Sequence, residues 1–150
     1  MFYNDKDSLL NSFFSISRKL FLYLYSKFEK DKLYPGQHQI LILLLKENKL
    51  TQKEISERVC VKPSTITVTI DNLLKNGLIS KNPSEKDRRI YYITLTKKGE
   101  ELANSALNVL NQIENYLNSL LNEDEKKIVL SFFNKIIDRF SKELKCEKNK

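Results

Sequence analysis

Apolar residues recur at every third or fourth position in several parts of the chain, which is the spacing of an amphipathic α-helix. One such run extends from Ser8 to Lys30, and two more cover Leu102 to Leu120 and Ile128 to Leu144. The first run carries more apolar positions than one neighbouring helix could cover. We therefore predict three long helices, of which the first is buried on two sides.

The middle of the chain contains shorter elements. Pro35-Gly36 separates the first long helix from a short apolar helix predicted over Gln37 to Lys46. Thr51 and Glu54 then have the spacing of a capping box, in which two side chains satisfy the free N–H groups at a helix start. This predicts a helix from about Gln52 to Val59.

A further helix is predicted after a break at Cys60 to Lys62. Pro63 suits the first position of a helix, where its missing N–H costs nothing, and Gly77 suits the position just after the end. Two short helices therefore face each other across a tight turn. This arrangement is a helix-turn-helix.

A predicted β-hairpin follows directly. The segments from Leu78 to Asn82 and from Ile90 to Leu95 are β-prone, and the polar stretch from Pro83 to Arg89 lies between them. Thr96 is expected to cap the next helix, and Asn122 to Glu125 supply a cap and acidic first-turn residues for the last one. The predicted fold is mainly α with a small hairpin wing.

Composition adds a preference for an acidic partner. The 150 residues contain 26 Lys and Arg against 19 Asp and Glu, a net charge of +7, and the chain is short enough to form one domain. Such a charge favours nucleic acid or an anionic membrane surface, although solubility alone would also explain it. No signal peptide or apolar run of transmembrane length occurs, so we expect a cytoplasmic protein with reduced cysteines.

A helix-turn-helix followed by a hairpin is a winged helix-turn-helix, whose second helix can enter the major groove of DNA. The segments LTQKEIS, PSTIT, GLI and DRR, with LYPGQ before them, occur at the spacings found in the MarR family of bacterial transcriptional regulators. The chain resembles that family over residues 33 to 99. The long helices match it only in position and amphipathicity.

The resemblance implies a single domain over 1–150, with dimerisation helices over 8–32 and 100–145 and a DNA-binding lobe over 35–99. It implies a homodimer that binds a pseudo-palindromic operator as a transcriptional regulator, more often a repressor, relieved by a small-molecule or other signal. The broad apolar faces of the terminal helices agree with a dimer. The alternative is an architectural DNA-binding or protein-interaction dimer without a ligand.

The second helix of the motif is expected to bury Ile66, Ile70 and Leu73 and to direct its other side toward DNA. The candidate DNA contacts on and before this helix are Lys62, Pro63, Ser64, Thr65, Thr67, Val68, Asn72 and Lys75. Lys62, Ser64 and Thr65 lie at the helix N-terminus, where they could bind phosphate. Asn72 could contact adenine or phosphate.

Val68 departs from the family pattern, since many members have Arg at the equivalent step. A valine cannot bond to guanine but can pack on a thymine methyl group, so we hypothesise an A·T-rich site. The alternative is that Val68 packs on the neighbouring helix.

The loop between the two strands supplies the candidate wing contacts Lys86, Asp87, Arg88 and Arg89. Asp87 and Arg89 match the D-x-R pattern of the family. The resemblance implies that Arg89, together with Arg88, enters the minor groove while Asp87 holds the tip by a charge-assisted hydrogen bond. The alternative is a solvated loop.

Other candidates concern a ligand or a reaction. The resemblance also implies an aromatic or amphipathic effector bound between the dimerisation helices and the lobe, and the candidate residues for it are Phe14, Lys19, Tyr23, Tyr34 and His38. The single histidine is otherwise expected to pack at a helix start, Cys60 to be a small half-buried residue, and Cys146 to be incidental. No metal, cofactor or catalytic motif is present in the sequence, so we expect no enzyme activity.

Overall fold

The structure, a computed structural model, describes residues 8–29, 33–34 and 36–147, without the side chains of 144–147. Its helices and strands follow in chain order. They are α1 (Leu9–Phe28), α2 (Gln37–Glu47), β1 (Lys49–Thr51), α3 (Gln52–Arg58), α4 (Pro63–Lys75), β2 (Ile79–Pro83), β3 (Tyr91–Leu95), α5 (Lys97–Ser119) and α6 (Glu123–Glu147). The predicted fold class, mainly α with a small hairpin wing, is confirmed. Lys30 and Pro35, which entered the predictions, lie outside the described residues.

The chain forms two compact units, Met1–Val109 and Leu110–Lys150. The first contains α1 to α4, the sheet and the first part of α5, and the second contains the rest of α5 and α6. The prediction of one domain over the whole chain stays a prediction.

The core of the first unit is formed by the short helices and the sheet. Its fully or nearly fully buried apolar side chains include Ile40, Leu41, Leu44, Leu50, Ile55, Ile66, Ile70, Leu73, Leu78, Ile79 and Ile93, joined by Phe28 of α1 and by Ala103 and Ala106 of α5. Burying one such side chain contributes about 1.5–3 kcal/mol to the free energy of folding, so this set holds the lobe together.

The sheet has three antiparallel strands in the order β1-β3-β2. Ile93 in the central strand pairs with Leu50 on one side and Lys81 on the other. The hairpin of β2 and β3 is confirmed, but β1 was not predicted. Three residues are too few to display an alternating pattern, and β1 exists because a distant strand pairs with it.

The predicted helix ends are confirmed by their hydrogen bonds. Thr51 Oγ1 accepts from the Glu54 N–H, and the Glu54 carboxylate accepts from the Thr51 N–H at 2.7 Å, which completes the capping box. The Glu54 carboxylate also accepts from the Thr51 hydroxyl at 2.8 Å, and the two bonds it receives from Thr51, the backbone one first, hold the pKa of Glu54 below its usual value. Thr96 Oγ1 accepts from the Gly99 N–H, and Gly77 follows α4 with a φ of 68°. Local sequence therefore determines where these helices begin and end.

Two helices, α1 and α6, keep many large apolar side chains exposed in the single chain. On α1 these include Leu9, Leu10, Phe14, Ile16, Phe21 and Leu22, and on α6, in the second unit, they include Ile128, Leu130, Ile137 and Phe140. Only Phe28 of α1 is classed as buried. The predicted burial of α1 on two sides is therefore not achieved within one chain.

Candidate nucleic-acid interface

The helix α4 has one buried face and one exposed face. Ile66, Ile70 and Leu73 are at most 2% exposed, as predicted. Val68 is 62% exposed, so the alternative in which it packs on a neighbouring helix is wrong. An exposed valine on the side opposite the core is available to an external partner.

The structure brings the predicted helix contacts together on one exposed surface. All eight residues, Lys62, Pro63, Ser64, Thr65, Thr67, Val68, Asn72 and Lys75, are exposed. We call them the α4 surface. Its two lysines lie at opposite ends of the helix, with an uncharged stretch from Pro63 to Thr67 after the first.

The turn before α4 is held by a side chain that the sequence analysis did not single out. The Ser56 hydroxyl donates to the Val61 carbonyl at 2.6 Å, and the Val61 N–H donates to the Ser56 carbonyl at 3.2 Å. Between them Cys60 has a φ of +54°. This left-handed conformation favours glycine, which explains why glycine is common in such turns. The prediction that Cys60 is half-buried is wrong, because the turn directs it outward and it is exposed.

Gln52 is a second residue that sequence analysis missed. Its Nε2 donates to Thr67 Oγ1 at 2.6 Å and so connects the start of α3 to the α4 surface. No periodicity could have revealed the contact, because the two residues are fifteen positions apart and meet only when the helices pack.

At the wing tip, the predicted bond between Asp87 and Arg89 is present. The Asp87 carboxylate accepts from the Arg89 backbone N–H at 2.9 Å, from Nε at 3.2 Å and from Nη2 at 3.3 Å. The Arg89 side chain is 91% exposed despite these bonds. The tip thus presents an arginine that is oriented but still accessible. Lys86 and Arg88 are exposed beside it.

Arg89 holds the pKa of the Asp87 carboxyl below its ordinary value, first through its side chain and then through its backbone N–H. The charged form of Asp87 is the one that binds Arg89. The bonded tip is therefore favoured above the ordinary carboxyl pKa and is lost as the pH falls through the lowered one.

We expect Arg89→Ala to raise the Asp87 pKa toward its ordinary value, because both side-chain bonds are removed. Arg88→Ala is the matched control, and it should leave that pKa unchanged. A carbon-detected NMR titration of the aspartate carboxyls measures both. An equal effect of the two variants would show that overall charge, rather than the pair, lowers the pKa.

The five predicted ligand residues do not form one cluster within the described part of the first unit. Phe14 and Tyr23 are nine positions apart on α1, so they lie on opposite sides of that helix. Lys19, Tyr23 and Tyr34 are exposed. The ligand set stays a prediction.

His38 lies in the core, as the simpler interpretation predicted. It is 4% exposed, its ring centroid is 4.8 Å from that of Phe28, and burial lowers its pKa. Its Nδ1 makes no hydrogen bond to any of the residues that the structure describes. Among the described residues, no three His, Cys, Asp or Glu side chains are placed to hold a metal ion. The described helices also include none that is both long and apolar enough to span a membrane.

Comparison with known proteins identifies the family. The MarR family profile matches residues 33–91. The repressor MdtR of Bacillus subtilis, an HTH-type transcriptional repressor, is 39% identical over 72 residues, which are 48% of this chain and 46% of MdtR. The chain therefore matches about half the length of this relative.

Two solved structures extend the similarity to most of the chain. Staphylococcus aureus MepR, crystallised with DNA, has the same fold, with a TM-score of 0.82 at 23% identity over 90% of this chain and 99% of MepR. Staphylococcus aureus MarR, crystallised with salicylate and kanamycin, gives a TM-score of 0.77 at 29% identity over 89% of this chain and 91% of that protein. The chain belongs to the MarR family.

Proposed function

We propose that this chain is a sequence-specific double-stranded DNA-binding transcriptional regulator that acts as a repressor in the bacterial cytoplasm. The observation that carries the proposal is the α4 surface, which consists of seven exposed residues on α4 and Lys62 just before it, opposite a buried helix face. The proposed role of this surface is to bind DNA, and no reaction is assigned to it.

The physical basis is the fit of α4 and the wing to B-DNA. The major groove is about 12 Å wide and admits one α-helix. With α4 in that groove, Lys62 and Lys75 would contact phosphates while Val68 and Asn72 face the base edges. Arg89 would enter the adjacent minor groove. Charge at the ends and the wing would provide affinity, and the uncharged centre would provide sequence preference.

The proposed assembly is a homodimer formed through the apolar faces of α1 and α6. Exposed apolar surface on this scale is typical of a protein–protein interface. A symmetric dimer would place two α4 helices in successive major grooves, about 34 Å apart, and so bind a pseudo-palindromic operator. Dimerisation helices over 8–32 and 100–145 and a DNA-binding lobe over 35–99 are part of this proposal.

The named relatives support the same assignment. MdtR is described as a repressor, MepR was crystallised with DNA, and Staphylococcus aureus MarR was crystallised with salicylate. A small aromatic or amphipathic effector that releases DNA is therefore included in the proposal. Phe14, Lys19, Tyr23, Tyr34 and His38 are its candidate residues.

Footprinting on DNA upstream of the protein's own gene tests the proposal. A regulator should protect a discrete, two-fold symmetric site, and an added effector should abolish the protection. Uniform protection along the fragment would instead indicate an architectural DNA-binding protein.

Val68 gives a separate prediction about sequence preference. Because its side chain can contact a thymine methyl group, we expect Val68→Ala to reduce the preference for A·T at one position of each half-site. Val68→Arg should introduce a preference for guanine there, since arginine bonds to O6 and N7. Operator selection with the purified variants measures both, and a wild-type consensus with guanine opposite α4 would contradict the A·T hypothesis.

A further inference from the structure

Gln52, the first residue of α3, has a side chain that reaches α4. Its Nε2 is 2.6 Å from Thr67 Oγ1, and the same Oγ1 is 2.9 Å from the carbonyl oxygen of Pro63. A carbonyl oxygen can only accept, so the Thr67 hydroxyl must donate to Pro63 and accept from Gln52. This network determines that the nitrogen of the Gln52 carboxamide, and not its oxygen, faces Thr67.

The same network determines what remains available for an external partner. Thr67 has no proton left to donate. In the part of the chain that the structure describes, the Thr67 bond is the one side-chain hydrogen bond of Gln52. The Oε1 and the second Nε2–H of Gln52 therefore remain available to an external partner. An acceptor beside a donor on one carboxamide matches N6 and N7 of adenine in the major groove.

The position of Gln52 also suits a contact with DNA. Thr67 is exposed and lies on the flank of α4, one residue before Val68 and one after buried Ile66. Gln52 is partly exposed. It therefore extends the α4 surface toward α3. The bond to Thr67 also restricts a flexible side chain before binding, which reduces the entropy lost when DNA is bound.

We infer that Gln52 is a specificity-determining residue, which contacts an adenine next to the base pairs that face Thr67 and Val68. This inference rests on the proposed function, because it requires α4 to lie in the major groove. It adds a residue outside α4 to the determinants of sequence preference. Thr67 is the positioning residue in this pair.

Binding-site selection from a randomised DNA pool tests the inference, with the wild type compared to Gln52→Ala and Thr67→Val. We expect Gln52→Ala to lose about tenfold or more of the preference for adenine at one position per half-site, with the other positions unchanged. Thr67→Val keeps the shape but removes the anchor, and it should weaken the preference at that same position. Gln39→Ala, which removes an exposed glutamine from α2, is the matched control and should change no position.

Three other results would each contradict the inference. A consensus that is the same for Gln52→Ala and wild type overturns the inference and leaves the proposed function intact. Weaker binding with an unchanged adenine preference would assign Gln52 to phosphate and also overturns it. If the wild type selects no consensus, the proposed function fails and the inference fails with it.

Folding is checked by circular dichroism for every variant. If Gln52→Ala does not fold, Gln52→Glu replaces it, because it keeps the side-chain length and places a favourable acidic group at a helix N-terminus. A carboxylate has no N–H for adenine N7, so the adenine preference should again be lost. Retention of that preference by Gln52→Glu would overturn the inference.

Discussion

Gly99→Ala is expected to lower the free energy of unfolding by about 3 kcal/mol, at the upper end of what overpacking causes. A Cβ at this position would lie 1.9 Å from the backbone oxygen of Leu78 and 3.2 Å from Cδ2 of Leu95. That oxygen cannot move freely, because it accepts a hydrogen bond from the Thr96 N–H at 3.1 Å. The start of α5 would therefore be pushed away from the wing, and the midpoint of thermal unfolding should fall by about 10 °C.

Gly77→Ala is the matched control, because it makes the same chemical change at a position with space. No atom lies within 4 Å of a Cβ built there, but φ is +68°. Only backbone strain then acts, and we expect a loss of about 1 kcal/mol. Thermal unfolding of both variants gives the comparison. Equal stability losses would contradict the close packing of α5 against Leu78.

Arg89→Ala is expected to weaken binding to all DNA sequences by on the order of tenfold at physiological salt. Its guanidinium is held by Asp87 and is otherwise exposed, so it is placed to neutralise phosphate charge or enter the minor groove. The slope of log K against log salt concentration should fall by about one for each arginine lost, which is about two for a dimer.

Arg139→Ala serves as the charge control. Arg139 lies on α6, in the second unit, and pairs with Glu143, so the variant loses the same charge from an element outside the proposed DNA-binding lobe of residues 35–99. Fluorescence anisotropy at several salt concentrations measures both variants, and sedimentation confirms that both keep the wild-type oligomeric state. An unchanged slope for Arg89→Ala would remove this residue from the DNA contacts.

Local signals in the sequence were sufficient for most of the fold. Capping residues such as Thr51 act within a few positions, and the spacing of Ile66, Ile70 and Leu73 directly encodes a buried face. These features do not depend on the rest of the chain. The strand β1, in contrast, depends on a distant part of the chain, because its three residues are ordered by pairing with β3.

In the candidate site, too, local features were predictable from the sequence and features that depend on packing were not. The bond between Asp87 and Arg89 links residues two positions apart, so a short motif predicts it. The contact between Gln52 and Thr67 requires two packed helices, and the exposure of Cys60 depends on a backbone angle that a composition argument does not include. The prediction of the ligand residues did not take helix rotation into account. That rotation places Phe14 and Tyr23 on opposite sides of α1 within one chain.

The affinity of the purified protein for its own upstream DNA, relative to random DNA of equal length, tests the central claim most directly. At physiological salt we predict a preference of about 10³-fold or more, as is typical of sequence-specific regulators. Equal affinity for the two DNAs would contradict the assignment of this chain as a sequence-specific regulator.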